Sequence, residues 1–135
     1  MKQYHIVSRL AIYLLSVVLI TFGMIHFMYP RDVLVYVPVW LVGGKLWVYV
    51  AGVAFILVGI SFLTNQYVKF SSYLLAAILI FFIITIHLPN YNHAGDKEMR
   101  QMALINLLKD TAITGFALHI AAGAHHQRFH LEQSD

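Results

Sequence analysis

Long apolar stretches alternate with short polar breaks along this chain. Four of the stretches are long enough to cross a bilayer, at residues 10–29, 46–64, 70–88 and 102–124. A helix rises about 1.5 Å per residue, so about 20 apolar residues cover the roughly 30 Å of hydrocarbon. The pattern predicts an all-α fold: an integral membrane four-helix bundle that forms a single domain over residues 1–135.

A shorter apolar segment lies between the first two predicted spans. Residues 33–42 are too few to cross a bilayer, and Pro38 interrupts them. Tyr36 and Trp40 suit the membrane interface, where tyrosine and tryptophan are enriched. We therefore expect an interfacial or re-entrant segment that packs over one mouth of the bundle.

The predicted crossings fix the relative placement of the loops. Four spans put both termini on one side of the membrane and the polar loop 91–101 on the other, which we call the far side. Lysine and arginine residues flank the spans in equal number on the two sides, so their distribution does not decide the orientation. The basic start, with Lys2 and Arg9, favours termini in the cytoplasm.

Composition excludes several functions. The chain is 60% hydrophobic and 11% charged, against about 25% charged in an ordinary soluble domain. Its net charge is only +3, and the basic residues stand singly, which argues against nucleic-acid binding. With no cysteine, the chain cannot itself exchange disulfides or ligate an iron–sulfur cluster through thiolates.

Polar residues inside the apolar stretches are the candidate site. Antiparallel threading brings five of them to the far-side half of the bundle: His26, His87, Asn106, Lys109 and Asp110. Asn106 and Asp110 share a helix face, whereas Lys109 points about 100° away from Asp110. A charge facing lipid is costly, so we expect Asp110 to face the bundle interior, with Lys109, His26 or His87 as its partner.

Two interpretations of this polar recess stay open. In the first, Asp110 and Asn106 bind neighbouring helices as a structural clamp, and Lys109 extends to the interface. In the second, the recess receives a quinone headgroup, a proton or a small polar ligand. Haem ligation by His26 and His87 is disfavoured, because two histidines on separate helices are a weak signal. No metal site is predicted, and no nucleotide loop or nucleophile elbow occurs, so catalytic residues stay unknown.

Short motifs follow one another along the predicted spans: Gly23-Met24-Ile25-His26-Phe27 with Pro30, Val37-Pro38-Val39-Trp40, the glycines Gly52 and Gly59, Leu88-Pro89-Asn90, and Asn106-Leu107-Leu108-Lys109-Asp110. In this order they resemble the DoxX-like family of small four-helix membrane proteins, over nearly the whole chain. The resemblance implies a bundle in the bacterial cytoplasmic membrane and singles out His26, Pro38 and Asp110 as family-like positions.

The same resemblance implies a choice of functions. Some DoxX-like members are described as subunits of quinone-linked oxidoreductases, and distant eukaryotic relatives as receptor-assembly chaperones. Members often carry an acidic residue three positions after the glycine of the second span, where this chain has Phe55. A proton-coupled or redox role would lack that carboxylate here.

We therefore expect a non-catalytic accessory or assembly protein that binds a membrane partner or a lipid-soluble ligand. The alternative is a membrane subunit of a quinone-linked oxidoreductase whose catalytic cofactor resides in a partner chain. A transporter is a third possibility, but four spans without broken helices would need to oligomerise to form a path. The expected partners are membrane lipid and another membrane protein or further copies of this chain. Quinone is a compatible ligand, and no resident cofactor is predicted.

Overall fold

The structure, a computed structural model, describes the backbone of residues 2–133 and the side chains of residues 6–124. Every regular element in this part of the chain is helical: α1 (Lys2–Met28), α2 (Pro30–Leu34), α3 (Gly44–Thr64), α4 (Val68–Phe82), a π turn (Ile83–His87), α5 (Leu88–Asn92) and α6 (Lys97–Gln133). The prediction of an all-α fold is confirmed for these residues.

Three helical stretches of the described chain are long and apolar enough to cross a membrane: Ile6–Met28, Gly44–Thr64 and Val68–Asn92. They contain the first three predicted spans almost completely. The fourth predicted span lies within α6, which is not among the three. Asn106, Lys109 and Asp110 interrupt its apolar stretch, so a fourth crossing stays a prediction.

Pro30 redirects the chain between α1 and α3. Helix α1 ends at Met28, just before this proline, and Pro30 then opens the short helix α2. A proline is tolerated there because the first helical N–H groups have no intrahelical partner. After α2 the chain makes irregular turns, where Val39 and Val42 are almost fully exposed. The segment 33–42 thus contains no helix long enough to span.

The helical stretch that contains the third predicted span continues past residue 88 and through Pro89. The chain stays helical from α4 through the π turn and α5, up to Asn92. In the π turn, the Leu88 N–H donates to the Ile83 carbonyl, five residues back. This wider turn makes room where the ring of Pro89 would otherwise crowd the carbonyl of Thr85. The polar loop is correspondingly shorter than 91–101, since only residues 93–96 lie between α5 and α6.

Close contact between α1 and α3 depends on glycines. A Cβ atom on Gly52 would lie 3.0 Å from the Cβ of His26, and one on Gly59 would lie 3.0 Å from the Ser16 carbonyl oxygen. The absent side chains let the two backbones approach, as small residues do between membrane helices. Gly23 is the α1 counterpart, since it packs directly against Gly52 and Ile56.

The four long helices share one hydrophobic core. Its buried members come from each of them and include Leu19, Phe55, Leu79 and Ala117. Helix α1 packs on α3, α3 on α4, and α4 on α6. This core fills the half of the bundle near the α3–α4 turn, which leaves the far-side half for a cavity.

Candidate functional site

A cavity of about 370 Å³ opens between the far-side halves of the four long helices. Its floor is apolar and consists of core residues, among them Leu19, Phe55 and Leu79. The segment after α1 contributes the opposite end, with Asp32, Val33, Tyr36 and Val37. All five residues that the sequence placed in a polar recess line this one cavity: His26, His87, Asn106, Lys109 and Asp110.

A buried pair joins α6 to the π turn. His87 Nε2 lies 2.8 Å from Asp110 Oδ2, and the two side chains are only 12% and 8% exposed. Because a carboxylate only accepts hydrogen bonds, Nε2 carries the proton and donates it. The ammonium of Lys109 lies 3.9 Å from Asp110 Oδ1, too far for a hydrogen bond. Of the three partners considered for Asp110, His87 therefore makes the direct contact.

The π turn helps to aim His87 at Asp110. A π turn accommodates one extra residue, which rotates the residues after it by about 100° relative to an uninterrupted α-helix. The turn lies at Ile83–His87, so His87 is its last residue. Within the turn, the Thr85 hydroxyl donates to the Phe81 carbonyl at 2.6 Å, which satisfies that hydroxyl inside its own helix.

His26 faces the cavity from α1. Its Nδ1 lies 2.6 Å from the Phe22 carbonyl oxygen, so Nδ1 carries a proton and donates it. The ring of Phe55 meets the imidazole edge to face, with ring centroids 5.5 Å apart.

Lys109 reaches across the cavity toward α1. Its ammonium lies 4.7 Å from the centre of the Phe22 ring, within range of a cation–π interaction. The side chain is 39% exposed. The side chain therefore reaches toward α1. The structural-clamp interpretation expected it to extend along α6 to the membrane interface.

Several polar atoms around the cavity have unused hydrogen-bonding capacity. His87 Nδ1 is buried and has no partner within the described part of the chain. In a neutral imidazole this nitrogen is an acceptor, because Nε2 holds the proton. Among the described residues, the Asn106 amide and the Lys109 ammonium, both donors, also make no side-chain hydrogen bond. The cavity can therefore both donate to and accept from a guest molecule.

The interfacial segment is tied to the bundle by two hydrogen bonds. The Asn90 amide donates to the Tyr36 carbonyl at 2.7 Å, and the Trp47 indole donates to the Val42 carbonyl at 2.8 Å. Of the three residues predicted to mark this segment, Tyr36 lines the cavity, whereas Pro38 and Trp40 do not. Trp40 is 60% exposed, and its place at a membrane interface stays a prediction.

Sequence reasoning missed Phe22. It lies four residues before His26, so the two share one face of α1. That spacing was a usable signal, but an aromatic residue in an apolar stretch is usually explained by packing. Only the approach of Lys109 from α6 gives Phe22 a place in the site.

Comparison with other proteins gives a family but no function. No curated protein and no solved structure matches the chain. Nothing links it to the DoxX-like family, so that resemblance stays a prediction. Residues 15–121 match the sequence model of a family described as a domain of unknown function, DUF8561. This match covers most of the chain and every cavity-lining residue from Leu19 to Ile113. The chain therefore belongs to the DUF8561 family.

Proposed function

We propose that this protein crosses the membrane four times and acts as an accessory or assembly protein that holds a lipid-soluble ligand in its cavity. The observation that carries the proposal is the cavity itself. Small-molecule sites are concave, mostly apolar and supplied with a few polar groups that orient the ligand. Here an apolar floor that includes Leu19 and Phe55 adjoins the unused polar atoms of Asn106, Lys109 and His87.

The outer face of α6 supports the fourth crossing. The three residues that interrupt its apolar stretch, Asn106, Lys109 and Asp110, line the cavity. Five large apolar residues are exposed on the same part of α6, beside the exposed polar residues Thr111 and His119: Met102, Leu104, Ile105, Leu108 and Leu118. A helix with polar groups inward and apolar groups outward can face lipid at low cost.

We also propose a location and partners for this bundle. Its place is the bacterial cytoplasmic membrane with cytoplasmic termini, as the DoxX-like resemblance and the basic N-terminus suggest. The apolar outer surface suits contact with lipid and with another membrane protein or further copies of this chain.

A second candidate function is a membrane subunit of a quinone-linked oxidoreductase whose catalytic cofactor resides in a partner chain. One observation favours it: in their neutral forms His26 and His87 each keep one ring nitrogen free to accept a proton or a hydrogen bond from a quinol hydroxyl. Phe55 weakens this candidate, because it occupies the position of a carboxylate that could pass protons onward.

The two functions are separated by what the purified protein retains. We would purify it in mild detergent, record its visible spectrum, and analyse an organic extract by mass spectrometry. A stoichiometric lipid supports the accessory role, and a stoichiometric quinone supports the oxidoreductase subunit. A bare protein that also fails to bind added decyl-quinone or lipid would contradict both.

A charge-removing variant tests the cavity directly. Asp110→Asn removes the charge but keeps the shape of the side chain. The variant should therefore fold, yet lose most of the retained ligand. Leu108→Ala is the matched control, since Leu108 is 57% exposed on the outer face of the same helix. Equal ligand loss in the two variants would contradict binding at the cavity.

A further inference from the structure

One side of the helical bundle is held by side chains alone. Among the described residues, no Cα atom of α1 comes within 8 Å of a Cα atom of α6, although the other neighbouring long helices pack closely. Lys109 bridges this gap, with its ammonium over the ring of Phe22. Both residues also line the cavity. We call the gap the α1–α6 seam.

The Lys109 ammonium is poorly satisfied in this position. The Phe22 ring attracts its charge but accepts none of its three N–H bonds in the way an oxygen lone pair would. The nearest carboxylate oxygen, on Asp110, is 3.9 Å away and belongs to a group already bound by His87. An oxygen atom of a guest would therefore be a better partner than the ring, because the interaction would be a charge-assisted hydrogen bond.

The cavity has one edge at the far-side segment and another at the seam. Val33, Tyr36 and Val37 line the far-side edge, where Tyr36 is 38% exposed and the hydrogen bond from Asn90 to its carbonyl secures the segment. Beside the seam, Ile25 both lines the cavity and is 37% exposed on the outside of α1. An apolar molecule in the bilayer thus meets an apolar edge at the seam.

The charges around the cavity favour a neutral guest. Lys109 and Asp110 lie 3.9 Å apart and offset each other. An anionic head would add an uncompensated charge to a confined site that also contains Asp32. A carbonyl or hydroxyl oxygen would receive the Lys109 hydrogen bond without that cost.

We propose that the α1–α6 seam is a lateral entrance from the bilayer, and that the cavity takes a neutral amphiphile whose head oxygen draws the Lys109 ammonium away from the Phe22 ring. This inference rests on the proposed ligand-binding function. It adds the route of entry, the residue that recognises the head, and the chemical class of the guest.

The absence of native cysteine makes the route measurable. Ala51→Cys places a single thiol in the cavity wall at a residue that is 3% exposed. The protein is reconstituted in phosphatidylcholine vesicles and treated either with a long-chain N-alkyl maleimide or with a charged, water-soluble methanethiosulfonate. We expect the lipid-soluble reagent to modify the thiol, and the charged reagent to react at least tenfold more slowly. Ala76→Cys, equally buried but outside the cavity lining, should resist both.

A second substitution tests the seam. In the Ala51→Cys background, Phe22→Ala should speed modification by the alkyl maleimide several-fold, because the bridge across the seam is lost. Phe27→Ala is the matched control, since this ring on the same helix stacks on Tyr49 instead. Failure of both reagents to reach the thiol, equal rates for the two reagents, or no effect of Phe22→Ala would each overturn the lateral entrance.

The class of guest is tested by protection of the same thiol. We expect 2-tridecanone, a neutral ketone, to slow modification at a concentration at least tenfold below that of ionised dodecanoate. Lys109→Met should remove this preference. Stronger protection by dodecanoate would overturn the neutral-guest assignment. If the seam behaves as expected but no compound protects and no ligand is retained, the proposed function fails while the entrance stands.

Discussion

Replacing His87 should destabilise the protein more than replacing its partner. His87→Leu leaves the Asp110 carboxylate, 8% exposed, without its hydrogen bond. Leaving a buried acceptor without its partner costs about 1–3 kcal/mol, and more when the acceptor is charged. Lys109 lies 3.9 Å away and can move closer, so we expect about 3 kcal/mol. Asp110→Asn keeps a neutral acceptor for His87 and should cost only about 1 kcal/mol, as for a side-chain hydrogen bond in a membrane protein.

The double variant makes this reasoning quantitative. With His87→Leu and Asp110→Leu together, no buried charge stays unpaired, and apolar groups replace both partners. We expect a loss of about 1–2 kcal/mol, smaller than for His87→Leu alone, because exchanging both partners of a buried pair can be nearly neutral. The free energy of unfolding is measured by titrating mixed micelles with dodecyl sulfate and following helicity by circular dichroism.

Thr111→Ala is the control for this cycle. Its exposed hydroxyl bonds only to the Leu107 carbonyl of the same helix, so the change should stay within about 0.5 kcal/mol. Strict additivity of the His87 and Asp110 variants would refute the claim that His87 compensates a buried carboxylate. Equal losses for His87→Leu and Asp110→Asn would refute it as well.

Three further outcomes follow from the packing and the topology. Gly23→Ala should lower the free energy of unfolding by about 1–3 kcal/mol, because its Cβ would lie 2.7 Å from the Gly52 carbonyl oxygen. Gly115 has open space around it, so Gly115→Ala should raise the free energy of unfolding by up to about 1 kcal/mol through helix propensity. Unfolding titrations that rank the two variants equally would contradict the close α1–α3 contact. Reporter fusions at the C-terminus and in the loop 93–96 should report opposite sides of the membrane, and matching signals would rule out the fourth crossing. Single cysteines along residues 33–42 should react with impermeant reagents from the far side only, and labelling from the other side would contradict an interfacial segment.

The length and apolar character of the stretches were enough to predict the long helices. Hydrophobic length reports directly on a bilayer's thickness, so α1, α3 and α4 appeared with nearly correct bounds. The two prolines were harder to interpret. Helix α1 ends just before Pro30, which opens α2, whereas Pro89 lies inside a helical stretch that continues to Asn92. Whether a proline ends or redirects a helix depends on the neighbouring helices and on local widening such as the π turn, which sequence alone does not specify.

The sequence was sufficient to predict which residues form the candidate site, but not how their side chains are arranged. The cost of a charge in lipid, combined with antiparallel threading, was sufficient to group His26, His87 and Asp110 at one depth. It could not choose among partners for Asp110, because that choice depends on side-chain direction. The rotation that the π turn gives His87, and the reach of Lys109 to Phe22, are tertiary features with no periodic signature.

The adjacent residues Lys109 and Asp110 explain why α6 has the weakest membrane signal of the long helices. Neighbours on a helix diverge by about 100°, so the carboxylate can meet His87 on one side while the ammonium extends to Phe22 on another. The Asp110 side chain is only 8% exposed, whereas Ile105 on the outer face is 58% exposed. The same two residues that lower the hydropathy of α6 therefore supply two of the cavity's charged groups. A criterion that demands four equally apolar helices would discard the helix on which the proposed binding site depends.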